Sequence, residues 1–302
     1  MRVLLTGASG QVGSALLRLL RKKYTVIAPA SREFDLSQPD TLADRLDSIK
    51  PDLVINPAAY NWVDQAEDES ALAFLINGTA PAVLARWAAA QGVPIVHFST
   101  DYVFDGSGGR PWQEDDPTGP LSLYGQSKLA GERAVREAGG AHLVVRTAWV
   151  YAAEGVNFMR TIIRLAKQHE TLRVVSDQFG TPTTAGTVAS TLVQILQQGE
   201  ADLGKVFDRA MGLLHVTNSG WTAWHGFASA IVQGVRSRGV VLKATSIVPI
   251  ASKDYPAKAK RPANSQLDLS RLKDVYSIEP PSWETALAEE LDTFLALDRS
   301  TV

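Results

Sequence analysis

Tyr124 and Lys128 are the first residues in this sequence whose types and spacing suggest chemistry. In Tyr124-Gly125-Gln126-Ser127-Lys128, the i,i+4 spacing at the start of a predicted helix sets a phenol and an ammonium on one face, a turn apart. A phenol with a reference pKa of about 10 is a reluctant acid–base group at neutral pH. A neighbouring ammonium is expected to stabilise the phenolate and lower that value, and to offer donors to ribose hydroxyls. Tyr-x-x-x-Lys alone arises by chance in many helices. It gains weight from Ser99-Thr100-Asp101, at the carboxyl end of a predicted strand, where a hydroxyl faces the same crevice.

A third feature completes the constellation. Gly7-Ala8-Ser9-Gly10-Gln11-Val12-Gly13 follows the first predicted strand and opens the first helix. Gly7 is expected to make the tight turn, Gly10 to let the backbone reach a pyrophosphate, and Gly13 to allow close helix–sheet packing. The anion would sit on the helix N-terminus, where free N–H groups and the dipole favour negative charge. The position in the first βα unit, rather than the glycines themselves, points to a dinucleotide. Asp35 suits an adenine amino group or a helix N-cap region equally. After the second strand, where an acidic residue would hold a ribose 2′-hydroxyl, the chain reads Pro29-Ala30-Ser31-Arg32. Ser31 and Arg32 suit a 2′-phosphate better, which favours NADPH over NADH. A solvated surface charge is the other reading of Arg32.

The elements that must position these groups alternate along the first half. Strands are expected at Arg2–Thr6, Tyr24–Ala28, Leu53–Asn56, Pro94–Ser99 and His142–Thr147. Helices are expected at Gln11–Leu20, Pro39–Ile49, Ala71–Ala90 and Gly125–Glu137. Strand–helix alternation requires parallel pairing with right-handed crossovers, and hence an α/β, Rossmann-like doubly wound sheet with its crevice at the strands' carboxyl ends. Beyond Val150 the rhythm loosens. Helices are expected at Asn157–Gln168, Thr184–Gln197, Thr222–Val235 and Trp283–Leu297, with strands at Leu172–Val175 and Val240–Ile250. This predicts a dinucleotide-binding domain over 1–152, with returning elements from 184–212, and a smaller α+β substrate domain mainly from 153–183 and 213–302.

Composition sets the outer limits. The 302 residues are 45% apolar and 21% charged, with 30 basic and 32 acidic side chains and a net charge of -2. That balance argues against a nucleic-acid sleeve or a polybasic membrane clamp. Without cysteine there is no disulfide, thiolate metal site or cysteine nucleophile. No apolar run approaches the roughly 20 residues of a membrane helix, and the N-terminus lacks a signal-peptide core, so a cytoplasmic globule is expected.

Taken together, the glycine turn, Ser99-Thr100-Asp101 and Tyr124…Lys128 resemble the extended short-chain dehydrogenase/reductase family. Further segments narrow the resemblance: Thr100-Asp101-Tyr102-Val103-Phe104-Asp105-Gly106, Arg146-Thr147-Ala148-Trp149-Val150-Tyr151, Asp177-Gln178-Phe179-Gly180-Thr181-Pro182-Thr183 and Arg261-Pro262-Ala263-Asn264-Ser265. These are similar to the members that reduce nucleotide-linked 4-keto-6-deoxysugars, over nearly the whole chain. The resemblance implies reduction of the C4 ketone of dTDP-4-dehydro-L-rhamnose by NADPH or NADH. Tyr124 would then be the general acid, Thr100 a donor to the same oxygen, and Lys128 the holder of the nicotinamide ribose. It places cofactor contacts on Gly10, Gln11, Val12, Asp35, Leu36, Ala58, Ala59, Tyr60 and Asn61, and substrate contacts on Thr100, Asp101, Tyr124 and Trp149. A noncatalytic NADP-binding regulatory subunit and a nucleotide-sugar epimerase are the alternatives.

Several positions carry a second reading. Asp101 could instead cap the loop after it, and Trp149 could be core rather than the wall of a sugar pocket. Arg261 suits a bidentate diphosphate contact, with a solvated basic loop as the alternative. Departures from the resemblance are informative too. Related dehydratases carry an acid directly after the Thr-Asp pair, where this chain has Tyr102, so dehydration is disfavoured. Glutamates that bridge magnesium between subunits in some reductases correspond to Ala15 and Gly186. The expectation is therefore a monomer or a metal-independent homodimer. Pro57-Ala58-Ala59-Tyr60-Asn61 departs from the commoner small residues, which weakens the Asn61 contact. No His pair has metal-ligand spacing, no Gly-x-Ser-x-Gly elbow occurs, and Gly106-Ser107-Gly108-Gly109 lacks a P-loop ending. That segment reads as a mobile loop, Glu114-Asp115-Asp116 as a solvated face, and His97 as a core histidine.

Overall fold

The computed structural model describes residues 1–300, with side chains through Asp298. Short Val-, Ile- and Leu-rich runs form β1 (Arg2–Leu5), β2 (Thr25–Ile27), β3 (Leu53–Asn56), β4 (Ile95–Thr100) and β5 (His142–Thr147). With strand Leu213–His215 they make one parallel sheet, in the order Leu213–His215, β5, β4, β3, β1, β2. Both faces are covered, because successive residues point to opposite sides. Val3 and Leu5 meet α1 (Gln11–Leu20) and helix Ala185–Gln197, through Leu16, Leu20, Val188 and Leu192. Leu4, Val54 and Ile95 meet α2 (Leu42–Ile49) and the helices after β3, through Leu42, Leu46 and Leu84. Each fully buried leucine contributes about 2 kcal/mol, so the sheet and its two helical layers hold one another in place.

Three helical pieces shape the crevice: α3 (Ser70–Phe74), α4 (Ala80–Gln91) and α5 (Leu123–Glu137). Ser122 caps α5, its hydroxyl accepting from Gly125 N at 3.2 Å, which fixes where Tyr124 enters the helix. The single helix expected over Ala71–Ala90 is interrupted by a π-helical turn at Leu75–Thr79. The helical run Ser70–Gln91 is nonetheless 22 residues long, and by length and composition it is long and apolar enough to cross a membrane. That corrects the expectation of no such run. Here Ala80, Leu84, Ala85 and Ala88 of that run are buried against the sheet layer, while Leu72 is exposed.

The second core gathers Tyr151, Met159, Ile163, Phe227, Ile231 and Leu291 between helices Phe158–Gln168, Trp224–Ser237 and Trp283–Ser300. Strand Thr171–Val175 pairs with Ser246–Ile250, so only the second half of the strand expected at Val240–Ile250 forms. Two pieces expected in the smaller domain pack on the large sheet instead. Leu213–His215 extends it beside β5, and helix Ser270–Tyr276 adds Leu272 and Tyr276 to its core. Both are short, and three or seven residues carry too little periodicity to reveal their partner.

Candidate active site

The phosphate cradle is built by backbone. Gly7 leaves β1 with φ +55°, and Gly10 N donates to Gly7 O at 2.9 Å. A Cβ on Gly13 would lie 2.0 Å from Gly7 O, so only glycine lets α1 start this close to the turn. The N-cap Gly10 brings no side chain to the first amides of α1, which stay available to an anion. Gln11 and Val12 continue that first turn, and Gln11 Oε1 accepts from Asn157 Nδ2 at 3.1 Å, tying the cradle to the smaller domain. These features fit a dinucleotide pyrophosphate.

Around the cradle, Ser31 and Arg32 are exposed beyond β2, whereas Leu36 is buried. Asp35 is engaged locally, accepting from Ser37 N (2.9 Å) and Ser37 Oγ (2.8 Å), and the Ser37 hydroxyl holds its carboxyl below the usual range. This is a local turn and not the helix N-cap of the alternative reading, since Gln38 and Thr41 stand at the N-caps that follow. Ala58 packs directly against Gly7. Beyond Ala59, Tyr60 turns its phenol away to Glu69 Oε2 (2.6 Å), and Asn61 is exposed. The Tyr60 backbone is held by Asn77: its N–H donates to Asn77 Oδ1 at 2.8 Å.

Thr100 closes β4 and Tyr124 opens the helix beside it. Thr100 and Lys128 are buried in the crevice wall, and Tyr124, half-buried, lies beside the Thr100 hydroxyl. Burial pushes the Tyr124 phenol above its ordinary value, with the Thr100 hydrogen bond acting in the opposite sense. The expected lowering by the ammonium is not what the chain displays. Lys128 Nζ instead donates to Phe98 O at 2.6 Å, and its own pKa is brought down to about 8 by desolvation, with Glu132 opposing the fall. A phenol that keeps its proton is suited to act as an acid.

Asp101 Oδ1 accepts from Thr100 Oγ1 at 2.9 Å, and burial raises its carboxyl to about 7. Trp149 follows β5 with φ +45°, a left-handed conformation that a tryptophan adopts only at a cost. Its ring stacks on Trp224 with centroids 3.4 Å apart. Arg261 is not a solvated charge: it forks onto Asp64, with Nη2–Oδ2 at 2.7 Å and Nη1–Oδ1 at 3.1 Å. Trp224 and Arg261 both line a cavity of about 840 Å³, together with Phe158, Ile162 and Gln178. Trp149 reaches that cavity through its stack on Trp224.

Several determinants escaped the sequence reading. Glu132 and Arg146 form an ion pair, 1% and 2% exposed, that joins α5 to β5; Ser99 Oγ adds a bond from β4 to Glu132 Oε2 at 3.0 Å. The signal was present, since Tyr124, Lys128 and Glu132 recur at four-residue intervals on one helical stripe. Asn77, in the π turn, donates to Tyr60 O and to Ser127 Oγ, both at 3.0 Å, and so clamps the loop after β3 to α5. Nothing in the local pattern marked it. Glu114 is buried and accepts from His215 N at 3.0 Å, and Asp116 pairs with Arg110, so the acidic run is not a solvated face. Gly106–Gly109 is tied down by Asn264, whose N–H donates to Gly106 O at 3.2 Å. His97 is buried against Asn56, and desolvation holds its pKa well below the ordinary value. Among the described residues no cluster of three His, Asp or Glu side chains could hold a metal ion.

A parallel sheet of this order, a glycine turn on the first helix, and a tyrosine and a lysine one turn apart at the start of α5 are the features of a nicotinamide-dinucleotide oxidoreductase of Rossmann type. The comparisons with known proteins narrow the class. The family model for the RmlD substrate binding domain matches residues 1–296, and the chain belongs to that family. It is 46% identical over 291 residues to a dTDP-4-dehydrorhamnose reductase of Burkholderia thailandensis, covering 95% of this chain and 97% of the relative. Against the Escherichia coli K12 enzyme of the same name it is 38% identical, covering 97% of each. Among solved structures, the Bacillus anthracis dTDP-4-dehydrorhamnose reductase in complex with NADP superposes with a TM-score of 0.88 at 31% identity, covering 97% of this chain and 99% of that one.

Proposed function

We propose that this chain reduces the C4 ketone of dTDP-4-dehydro-L-rhamnose to give dTDP-L-rhamnose, with NADPH preferred over NADH. The observation that supports this reading is Tyr124 beside Thr100, with the Lys128 ammonium on Phe98 O two residues earlier in the same strand, in a chain of this family. The dinucleotide supplies the hydride when bound. Everything else falls to the protein. Tyr124 holds a proton on its phenol oxygen and gives it to the C4 oxygen as negative charge develops there. Thr100 donates to the same oxygen, and Lys128 turns from Phe98 O to the ribose hydroxyls.

Gly7, Gly10, Gln11, Val12 and Gly13 hold the pyrophosphate, Ser31 and Arg32 the 2′-phosphate. Asp35, Leu36, Ala58, Ala59, Tyr60 and Asn61 border the adenosine and the nicotinamide, Tyr60 through its backbone. On the substrate side, Asp101 and Trp149 bound the sugar, and Arg261, already fixed by Asp64, faces the diphosphate. We place the nucleotide sugar between the sheet domain and the smaller domain. Ala15 and Gly186 offer no metal-ligating side chain, and we propose a monomer or a metal-independent dimer.

The test is turnover by the purified protein. NADPH absorbance should fall in step with dTDP-4-dehydro-L-rhamnose, one equivalent for one, and the product should be the 4-hydroxy sugar. A rearranged sugar with no net NADPH loss, or tight NADPH binding with no turnover, would overturn the reading.

A further inference from the structure

Thr100 has one hydroxyl hydrogen and, in this structure, that hydrogen is committed. Oγ1 donates to Asp101 Oδ1 at 2.9 Å and accepts from Tyr102 N at 3.2 Å. While that hydrogen stays on Asp101 it cannot also reach the Tyr124 phenol beside it. In this arrangement Thr100 has nothing to offer a substrate oxygen. The proposed reaction, on which this inference rests, needs that donor pointed at the C4 oxygen.

Asp101 is the group that decides. Its side chain is 2% exposed, and Oδ2 makes no hydrogen bond of standard geometry. The neighbouring Ser265 hydroxyl, with one hydrogen, is shared between Phe179 O at 3.3 Å and this carboxyl. A buried carboxylate with an orphaned oxygen is costly, and taking up a proton removes the charge. The neutral acid then reverses the bond to Thr100 at the same separation: Asp101 donates, Thr100 Oγ1 accepts, and the threonine hydrogen is released.

We propose that Asp101 is a positioning residue that sets the direction of the Thr100 hydroxyl: the neutral acid turns it toward the substrate ketone, and the carboxylate turns it away. The hydrogen bonds balance. In the reactive arrangement Thr100 accepts from Asp101 and Tyr102 N, and Thr100 and Tyr124 each donate to the ketone oxygen. No proton is consumed by the switch beyond the one Asp101 exchanges with solvent.

The surroundings favour the neutral acid near neutrality. Desolvation raises the carboxyl to about 7, partly offset by the hydroxyls of Ser265 and Thr100. From its own segment Asp101 faces Thr100 and Tyr102, from α5 it faces Tyr124, and from the loop before Leu267 it faces Ser265, with Arg261 directed to Tyr102. Both phenols, Tyr102 and Tyr124, are pushed to higher pKa by burial and by Asp101 itself, so neither supplies a competing titration in this range.

Two measurements test the switch. The first is the single-turnover rate of NADPH oxidation by dTDP-4-dehydro-L-rhamnose from pH 5.5 to 9. The wild type should fall by about 100- to 1,000-fold across an inflection near pH 7, the loss of one oxyanion donor. A second fall, from Lys128, should follow near pH 8. Asp101→Asn keeps the shape and cannot ionise, so it should lose the first inflection and keep the second. Thr100→Val should be slow throughout and should likewise lack the first. An Asp101→Asn profile that retains the first inflection overturns the proposal, as does a wild-type profile without one.

The second measurement needs neither cofactor nor substrate. Infrared difference titration of the free protein should show a protonated-carboxyl stretch that vanishes near pH 7 and is absent from Asp101→Asn. Absence of that band in the wild type overturns the switch even if turnover is normal. A protein that titrates so but reduces no ketosugar keeps the switch and refutes the assigned reaction.

Discussion

Replacing Glu132 by Gln removes one charge from a pair that pins α5 to the sheet, and its cost follows from the geometry. Glu132 and Arg146 are almost fully buried, and breaking such a pair at one end costs about 3–5 kcal/mol because the other charge is left behind. The lower end applies here. Arg146 Nη1 keeps Glu114 O at 3.1 Å, and the amide oxygen that replaces the carboxylate still accepts from Ser99. About 3 kcal/mol is roughly two orders of magnitude in the unfolding constant, read from urea denaturation followed by circular dichroism. Adding Arg146→Met removes the stranded charge, and the double variant should recover to within about 1 kcal/mol of wild type. The same charge supports the Lys128 ammonium, so Glu132→Gln should also move the alkaline fall in turnover to lower pH. A single variant that loses less than about 1 kcal/mol, or a double variant less stable than the single, would refute this reasoning.

Other outcomes follow from the same crevice. Gly13→Ala forces a methyl against Gly7 O and should weaken NADPH binding at least tenfold in a fluorescence titration; unchanged affinity would remove the cradle. Arg32→Ala should weaken NADPH by about 1.5–3 kcal/mol, the value of a charged hydrogen bond, and leave NADH unchanged. Equal losses for both would move the 2′-phosphate elsewhere. Lys128 is displaced from 10.5 to about 8, which corresponds to about 3 kcal/mol. The folded chain binds this proton less tightly than the unfolded chain, so the cost is present in full below pH 8 and is relieved between pH 8 and 10.5. Lys128→Met, leaving Phe98 O without its donor, should therefore gain about 2 kcal/mol at pH 7 while losing activity. A destabilised variant would contradict it.

The large sheet was legible because its strands repeat a strong signal: β3 and β5 lie at the residues expected, and α1 likewise, since periodicity and the glycine turn agree there. The Tyr124, Lys128 and Thr100 positions were legible for the same reason, being fixed by local helix and strand geometry. What was hidden depends on contacts across long stretches of chain. Arg261 reaches Asp64 across 197 positions, and Glu114 reaches His215 across 101, and neither leaves a mark on its own neighbourhood. The state of the lysine was hidden as well. Spacing put Lys128 one turn from the phenol, but only packing reveals that Phe98 O accepts its hydrogen bond. The π turn at Leu75–Thr79 sits inside an alanine-rich stretch that reads as plain helix, and its purpose lies in Asn77, whose partners are on other elements.

The role given to Tyr124 is tested most directly by Tyr124→Phe, assayed for single-turnover reduction of dTDP-4-dehydro-L-rhamnose beside a titration with NADPH. Loss of a positioned general acid should slow reduction by about 100- to 10,000-fold, with dinucleotide affinity within a factor of about two of wild type. Reduction at the wild-type rate would show that the proton comes from another group.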